Sequence, residues 1–278
     1  MNFKIISDSG SDITKEMEQK MKITTVPFKI DVNGKEYVDD EKFNMPDFLA
    51  TMKASSEPIR TACPSPFDYE KAIEEADAEY VFIITISSKL SGSYNSANIA
   101  KNVIEEKGKK KVHIFDSKSA SAGETCVAIK IHECIEKNMN YEEIIEEVEK
   151  YIDDLKTFFI LESLDNLIKN GRIKKTAGLI ANVLNIRPIM IGVQGEISLF
   201  EMNRGFKKSL LKLAEALGTV CNNFEERTLV ISHVNALDKA MDFKKKVESL
   251  YKFKDIEIVH TRGLSSGYAD NGGIVIAF

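Results

Sequence analysis

Four cysteines and four histidines are all that 278 residues offer for thiol, imidazole or soft-metal chemistry. Cys63, Cys126, Cys134 and Cys221 form no C-x-x-C pair, and no histidine follows any of them at zinc-ligand spacing. His113, His132, His233 and His260 show no metal spacing either, so each reads as structural and no metal is expected. A chain of this length buries a core without disulfides. No secretory signal is evident, because the opening MNFKIISDSG runs directly into a strand-like apolar stretch. The expected setting is the cytoplasm. The longest apolar run, residues 80–86, is far too short to span a bilayer. No P-loop, G-x-G-x-x-G or H-E-x-x-H occurs. An excess of positive charge is also missing. Lys and Arg number 38 against 43 Asp and Glu, a formal net charge of −5. The basic runs 107–111 and 244–246 are short and flanked by acids, so they read as solvated faces, and no nucleic-acid partner is expected.

What is present is an alternation of strands and helices. Residues 3–7 read as a buried strand, followed by the polar turn DSGSD and a helix to about Met21. Residues 23–30 form a second apolar stretch, and Val32-Asn33-Gly34-Lys35 is a turn signal. Asn44-Met45-Pro46-Asp47 and Ser65-Pro66-Phe67-Asp68 each start a helix with a capping side chain and an early proline. Strands are predicted over 80–86 and 111–115 and helices over 93–103 and 123–137; a capping-box-like Asn140 opens a helix ending near Leu155. A second set follows: a strand over 157–161 and helix over 163–184 broken at Asn170-Gly171. Then come a hairpin about Gln194-Gly195, helices over 207–217 and 236–251, and strands over 228–233, 255–260 and 273–278. The fold class is therefore α/β, parallel in the first half and mixed in the second, with a division into residues 1–155 and 156–278.

The first half repeats one device. Strands end in turns crowded with hydroxyls: 7–11, Thr61 with Ser65, 87–93 and 117–121. Such turns lie where ligands bind in open α/β sheets, and a helix N-terminus there favours an anion. A single serine is explained by capping, but the cluster Ser87-Ser88-Lys89-Leu90-Ser91-Gly92-Ser93 has more hydroxyls than a cap needs, and Gly92 lets backbone approach a ligand. Cys63 lacks a nearby histidine and reads as no nucleophile. Gly263-Leu264-Ser265-Ser266-Gly267 matches the nucleophile-elbow pattern, but residues 268–278 read as turn and strand and no histidine follows, so a hydrolase is rejected. Arg172 and Arg204 sit at loops and are candidate contacts for a phosphate or a partner.

These turns resemble the DegV family, the lipid-binding proteins that serve bacterial fatty-acid kinase. Ile6 to Asp12 (ISDSGSD) is similar to the family's D-S-[TG]-[SA]-D turn, and Thr61 with Pro64 and Ser65 takes the place of its T-S-Q-P segment, with Ala62 and Cys63 departing from it. Ile86 to Ala97 (ISSKLSGSYNSA) follows the S-S-x-L-S-G-[TS]-Y-x-[ST]-A block almost residue for residue. Phe115 to Ser121, Leu164 to Ile173 (with Asn170 for a glycine) and Leu184 to Ile189 resemble further blocks, so the resemblance spans nearly the whole chain. It implies two α/β domains with one long-chain fatty acid, such as palmitate, stearate or oleate, in a tunnel between them. It also implies a non-catalytic carrier without cofactor, a fatty-acid kinase as partner, and transient contact with a membrane surface. By position in the matched blocks, the carboxylate is expected at Thr61 and Ser91, with the Ser93 amide, Tyr268 where the family's H-x-G-P-G histidine falls, and Ser88 and Gly92 supporting the turn. Two rivals stay open. One is a phosphotransferase using Asp8, Asp12 or Asp116, and the other is a small-molecule sensor on the same fold.

Overall fold

The computed structural model describes residues 2–108, 110–174 and 185–278. The first half runs β1 (Phe3–Asp8), α1 (Lys15–Met21), β2 (Ile23–Val26), β3 (Lys29–Val32), β4 (Lys35–Val38), α2 (Met45–Ala54), β5 (Arg60–Ala62), α3 (Pro66–Glu75), β6 (Tyr80–Thr85), α4 (Ser93–Glu106), β7 (Lys111–Asp116), α5 (Ala122–Glu136) and α6 (Tyr141–Asp154). The second runs β8 (Thr157–Ile160), α7 (Asp165–Lys169), β9 (Ile189–Val193), β10 (Glu196–Glu201), α8 (Phe206–Val220), β11 (Thr228–His233), α9 (Leu237–Glu248), β12 (Asp255–His260), α10 (Gly263–Ala269) and β13 (Ile274–Ala277). The second helical piece expected up to Leu184 lies outside the described residues.

Four strands form a wholly parallel sheet in the order β2-β1-β6-β7. Its strands are apolar on both faces because both are covered. Ile5, Phe82, Ile84 and Phe115 pack with Val127 and Ile131 of α5. Ile6, Val81, Ile83 and Ile114 pack on the other face with Tyr69 of α3 and Ala97 of α4. The apolar stretch 23–30 is not one element. It divides at Pro27, which has no N–H to continue a ladder, and β3 joins a separate antiparallel sheet in the order β4-β3-β5. Asn33 (φ 53°) and Gly34 (φ 84°) make the tight turn of that hairpin.

The second half carries a mixed six-stranded sheet in the order β10-β9-β8-β13-β11-β12, in which only β11 and β12 are parallel. Its side chains alternate. Phe158, Ile160, Ile231, Ile274 and Ile276 face α8 and α9. Phe159, Leu161, Val230, Val275 and Ala277 face back toward Ala122 and Cys126 of α5. Helix α5 thus packs against both large sheets. Of residues 268–278, expected as turn and strand, the first two belong to α10, which takes in the elbow-like segment from Gly263. Two glycines disfavour a helix locally, but here they admit close neighbours: a Cβ at Gly267 would lie 2.7 Å from Ile59 Cδ1, and one at Gly263 2.5 Å from Phe43. Among the described residues no helix is long and apolar enough to cross a membrane.

Candidate functional site

A cavity of about 440 Å³ opens where the three sheets meet. The turns after β1, β6 and β7 reach it through Gly10, Ile86 and Ala120, β5 through Thr61, and α10 through Tyr268. The six-stranded sheet supplies a long apolar wall that includes Phe159, Leu161 and Val275. Its size is that of a small-ligand site.

Part of the cavity wall is a polar cluster. The Thr61 hydroxyl and the Tyr268 phenol lie 2.9 Å apart in a hydrogen bond. The Arg172 guanidinium stands 6.0 Å from the Tyr268 ring centre; its Nε donates to the Leu90 carbonyl at 3.2 Å and its Nη1 to that of Asn170 at 2.5 Å. Nη2 makes no hydrogen bond among the described residues. Ser91 and Gly92 follow Leu90 in the same wall, and Cys63 faces Gly92. Gly92 has an ordinary φ of −76°, so its use is space: a Cβ there would lie 3.3 Å from Cys63 Sγ.

The structure therefore brings together Thr61, Ser91, Gly92 and Tyr268 of the expected set. It also places Arg172, expected as a partner contact, in the cavity wall. Ser93 is elsewhere. It is fully buried; its hydroxyl donates to Asp8 Oδ2 at 2.5 Å and lies 2.6 Å from the Tyr69 phenol, while its N–H donates to Ser91 Oγ at 3.2 Å. Its contribution is to aim Ser91. Ser88 is spent on Asp116, to which its N–H and hydroxyl donate at 3.1 and 2.5 Å. Arg204 is exposed, in a β-bridge with Ile186 and outside the cavity wall.

Three polar side chains that the sequence did not single out for the site hold its parts in place. Asn166 of α7 accepts from the Ile59 N–H at 3.3 Å and donates to the Gly267 carbonyl at 2.9 Å, so it ties β5 to α10. Asn170, where the family has glycine, donates to the Ile59 carbonyl at 3.0 Å. Gly171 then takes φ 74°, a left-handed turn that sends Arg172 inward. Asp39, almost fully buried, accepts from the N–H groups of Gly263 and Leu264 at 2.8 and 2.9 Å. It caps α10 across more than 220 residues of chain. Asp12 adds a second tie, accepting the Arg262 N–H at 2.8 Å and the Ser121 hydroxyl. Burial pushes Asp12 up to about 6 against these donors. Of these ties, Asn170, as a departure from a glycine motif, and Asp12, in the DSGSD turn, had a signal in the sequence; Asn166 and Asp39 had none.

The site has the parts to hold an anion and an apolar chain. Of the elbow-like segment, Ser265 lines the cavity with its Oγ donating to the Gly10 carbonyl at 3.2 Å, while Ser266, outside the lining, has its Oγ paired with Thr261 at 2.7 Å. Among the described residues no three His, Cys, Asp or Glu side chains group so as to hold a metal ion.

The model of the DegV family, described as uncharacterised protein, matches residues 2–278. A DegV domain-containing protein of Streptococcus gordonii is 34% identical over 282 residues, covering 100% of this chain and 99% of its own. Among solved structures, a DegV family protein of Ruminococcus gnavus, refined with vaccenic acid, superposes with a TM-score of 0.94 at 38% identity and 99% coverage of both chains. The fatty acid kinase (Fak) B3 protein of Streptococcus pneumoniae, loaded with linoleic acid, superposes with a TM-score of 0.90 at 32% identity, covering 100% of this chain and 99% of that one.

Proposed function

The chain belongs to the DegV family, and from that premise we propose that it is a non-catalytic carrier that holds one long-chain fatty acid and presents its carboxylate to a partner kinase. The observation that carries this reading is the cavity's mixed lining: a polar cluster of Thr61, Tyr268, Ser91 and the Arg172 cation shares one cavity with the apolar side chains of Phe159, Leu161 and Val275. Each methylene buried along that face is worth about 0.8 kcal/mol, so a long acyl chain offers on the order of 10 kcal/mol before ordering costs. A carboxylate taken out of water needs donors or it protonates; two hydroxyls, a phenol and a guanidinium meet that need. The acyl chain lies between the parts we assign to residues 1–155 and 156–278. Relatives solved with linoleic or vaccenic acid support the ligand class, and the kinase name of one supports the partner. A phosphotransferase is disfavoured by the acids it needs, since Asp8 and Asp12 are fully buried and Asp116 is bonded to Ser88.

Organic extraction of the purified protein followed by mass spectrometry is expected to yield one acyl chain per protein. The double variant Thr61→Ala with Ser91→Ala is expected to retain less. Absence of any acyl chain, together with no uptake of added fatty acid, would overturn the proposal.

A further inference from the structure

Thr157 and Ser119 both line the cavity, and their hydroxyl oxygens lie 2.7 Å apart in a hydrogen bond. Thr157 opens β8 in the second half of the chain, and Ser119 sits in the turn after β7 in the first. Both are buried. Two other hydroxyls that line the cavity are committed: Ser121 donates to Asp12, and Ser265 to the Gly10 carbonyl. The pair is different. Two hydroxyls carry two protons and four lone pairs, and the bond between them uses one of each. For the second proton there is only the Ala120 carbonyl, 3.4 Å from Ser119 Oγ, and Thr157 Oγ1 has no partner but Ser119 among the described residues. A donor and an acceptor are therefore left over side by side, two residues from the apolar Phe159.

Space is left beside them as well. β8 and β9 are antiparallel, with Phe158 set against Ile191 and Phe159 against Met190, so the residue beside Thr157 is Gly192. Gly192 also lines the cavity, and its φ is not in the left-handed region. A Cβ there would lie 3.6 Å from Thr157 Cβ, an ordinary contact. The strand would accept a side chain at that point and has none. The place along the cavity follows from β8. Thr157, Phe159 and Leu161 line the wall in turn. From Leu161 the chain enters α7, whose Asn166 holds the Gly267 carbonyl next to Tyr268 and whose following turn carries Arg172. The head-group cluster thus lies on the Leu161 side, and Thr157 is about 13 Å back along the strand. An extended carbon chain advances about 1.2 Å per bond, as an extended main chain does. The hydroxyl pair is met about ten bonds or more from the carboxylate.

We propose that the Ser119–Thr157 pair is a subsite for a hydroxyl carried in the far half of the acyl chain, so that the ligands of this cavity include hydroxylated long-chain fatty acids. The inference rests on the carrier reading and names a substrate class within it. A ligand hydroxyl beside the pair donates to Thr157 Oγ1 and accepts the pair's second proton. A hydroxyl taken into an apolar cavity without a partner is penalised, and a wall built to bond one removes that penalty. A plain chain leaves the two hydroxyls bonded to each other, so the subsite admits the oxygenated class without excluding the other.

Displacement of a fluorescent long-chain fatty acid from the full chain compares octadecanoic with 12-hydroxyoctadecanoic acid. Wild type is expected to bind the hydroxylated acid at least as tightly as the plain one. The double variant Ser119→Ala with Thr157→Val removes both partners together and so orphans neither. In it the ratio of the two affinities is expected to shift about tenfold against the hydroxylated acid. Gly192→Ala, which lays a methyl group beside Thr157 and keeps both hydroxyls, is expected to shift the ratio the same way by less. Should the double variant fail to fold, by circular dichroism, Gly192→Ala decides alone. A wild type that binds octadecanoic acid but holds the hydroxylated acid tenfold more weakly overturns the subsite and leaves the carrier reading standing. An unchanged ratio in the variants overturns it too, and makes the pair a tie between the two halves of the chain. Binding of neither acid by wild type would overturn the carrier reading, and the subsite with it.

Discussion

The parallel sheet meets the cavity end-on, and the six-stranded sheet meets it along a face. At the ends of β1, β6 and β7 the chain turns, and what it offers there is backbone N–H groups, hydroxyls and buried acceptors such as Asp8 and Asp12. Along β8 and β13 it offers every second side chain: Phe159, Leu161 and Val275 face the cavity, while Phe158, Ile160 and Ile276 go to a separate core. A sheet end is naturally polar and a sheet face can be wholly apolar. Setting one against the other builds an amphiphile's site without a binding loop of special composition. The turn after α7 and helix α10 add Arg172 and Tyr268 to the polar lining, so the contrast is between kinds of wall rather than between halves of the chain.

The strongest way to break this contrast is on β8. Phe158→Ala empties a fully buried site in the closed core and is expected to cost about 3–5 kcal/mol in urea unfolding. Phe159→Ala, one residue on, opens into the cavity and is expected to cost clearly less stability while releasing bound acyl chain. Equal losses would mean that the two faces are not energetically distinct. Next in size, Asn166→Ala leaves the Ile59 N–H and Gly267 carbonyl without their partner, at a cost of about 2 kcal/mol by thermal or urea denaturation. It should also weaken lipid retention although Asn166 does not line the cavity. Smaller again, Tyr268→Phe removes the phenol's bond to Thr61 and its proposed bond to the carboxylate, and a loss of about 1 kcal/mol in fatty-acid affinity is expected, measured by displacement.

The smallest effect in wild type is a cancellation. Asp12 is raised from 3.8 to about 6, so the folded chain keeps a proton there that the unfolded chain gives up; that stability is full below pH 3.8 and lost as pH rises through 6. His233 is lowered from 6.5 to about 4, by burial and then by the charge of His260; its contribution is full above pH 6.5 and lost as pH falls through 4. Between pH 4 and 6 the two oppose each other. His233→Asn removes one side, and denaturant midpoints should then fall, relative to wild type, as pH rises across that window. An unchanged slope would show that His233 does not titrate as its burial requires.

What could be read in advance was local. The capping boxes at Ser65 and Asn140, the Asn33-Gly34 and Gln194-Gly195 turns and the strand–helix alternation all follow from residues within a few positions of one another, and all are present. The division at Pro27 had a local signal too, though apolar continuity outweighed it. The rest depended on distant partners. The Ser93 amide reads as a ligand contact, but the hydroxyl is held by Asp8, 85 residues away, in a buried position outside the cavity lining, and the amide donates to Ser91 Oγ. Tyr268 and Ala269 read as turn, and only the packing of Ile59, Phe43 and Asp39 against α10 explains the two glycines in the helix that these residues close. Asn166 gives no sign in sequence of the two segments it joins.

The placement of β13 has a consequence in time. It is the last strand in the chain, yet it lies between β8 and β11, in the middle of its sheet. Until residues 274–277 leave the ribosome, β8 and β11 have no common neighbour, the wall that would carry Val275 is open, and the apolar faces of both strands stand in water. A growing chain therefore has no complete lipid cavity, whatever the state of its first sheet. Pairings this far apart in sequence are slow to form, and the interval is one in which exposed strand edges invite aggregation. Closure of the cavity is in this way tied to the synthesis of residues 274–277 by strand order alone.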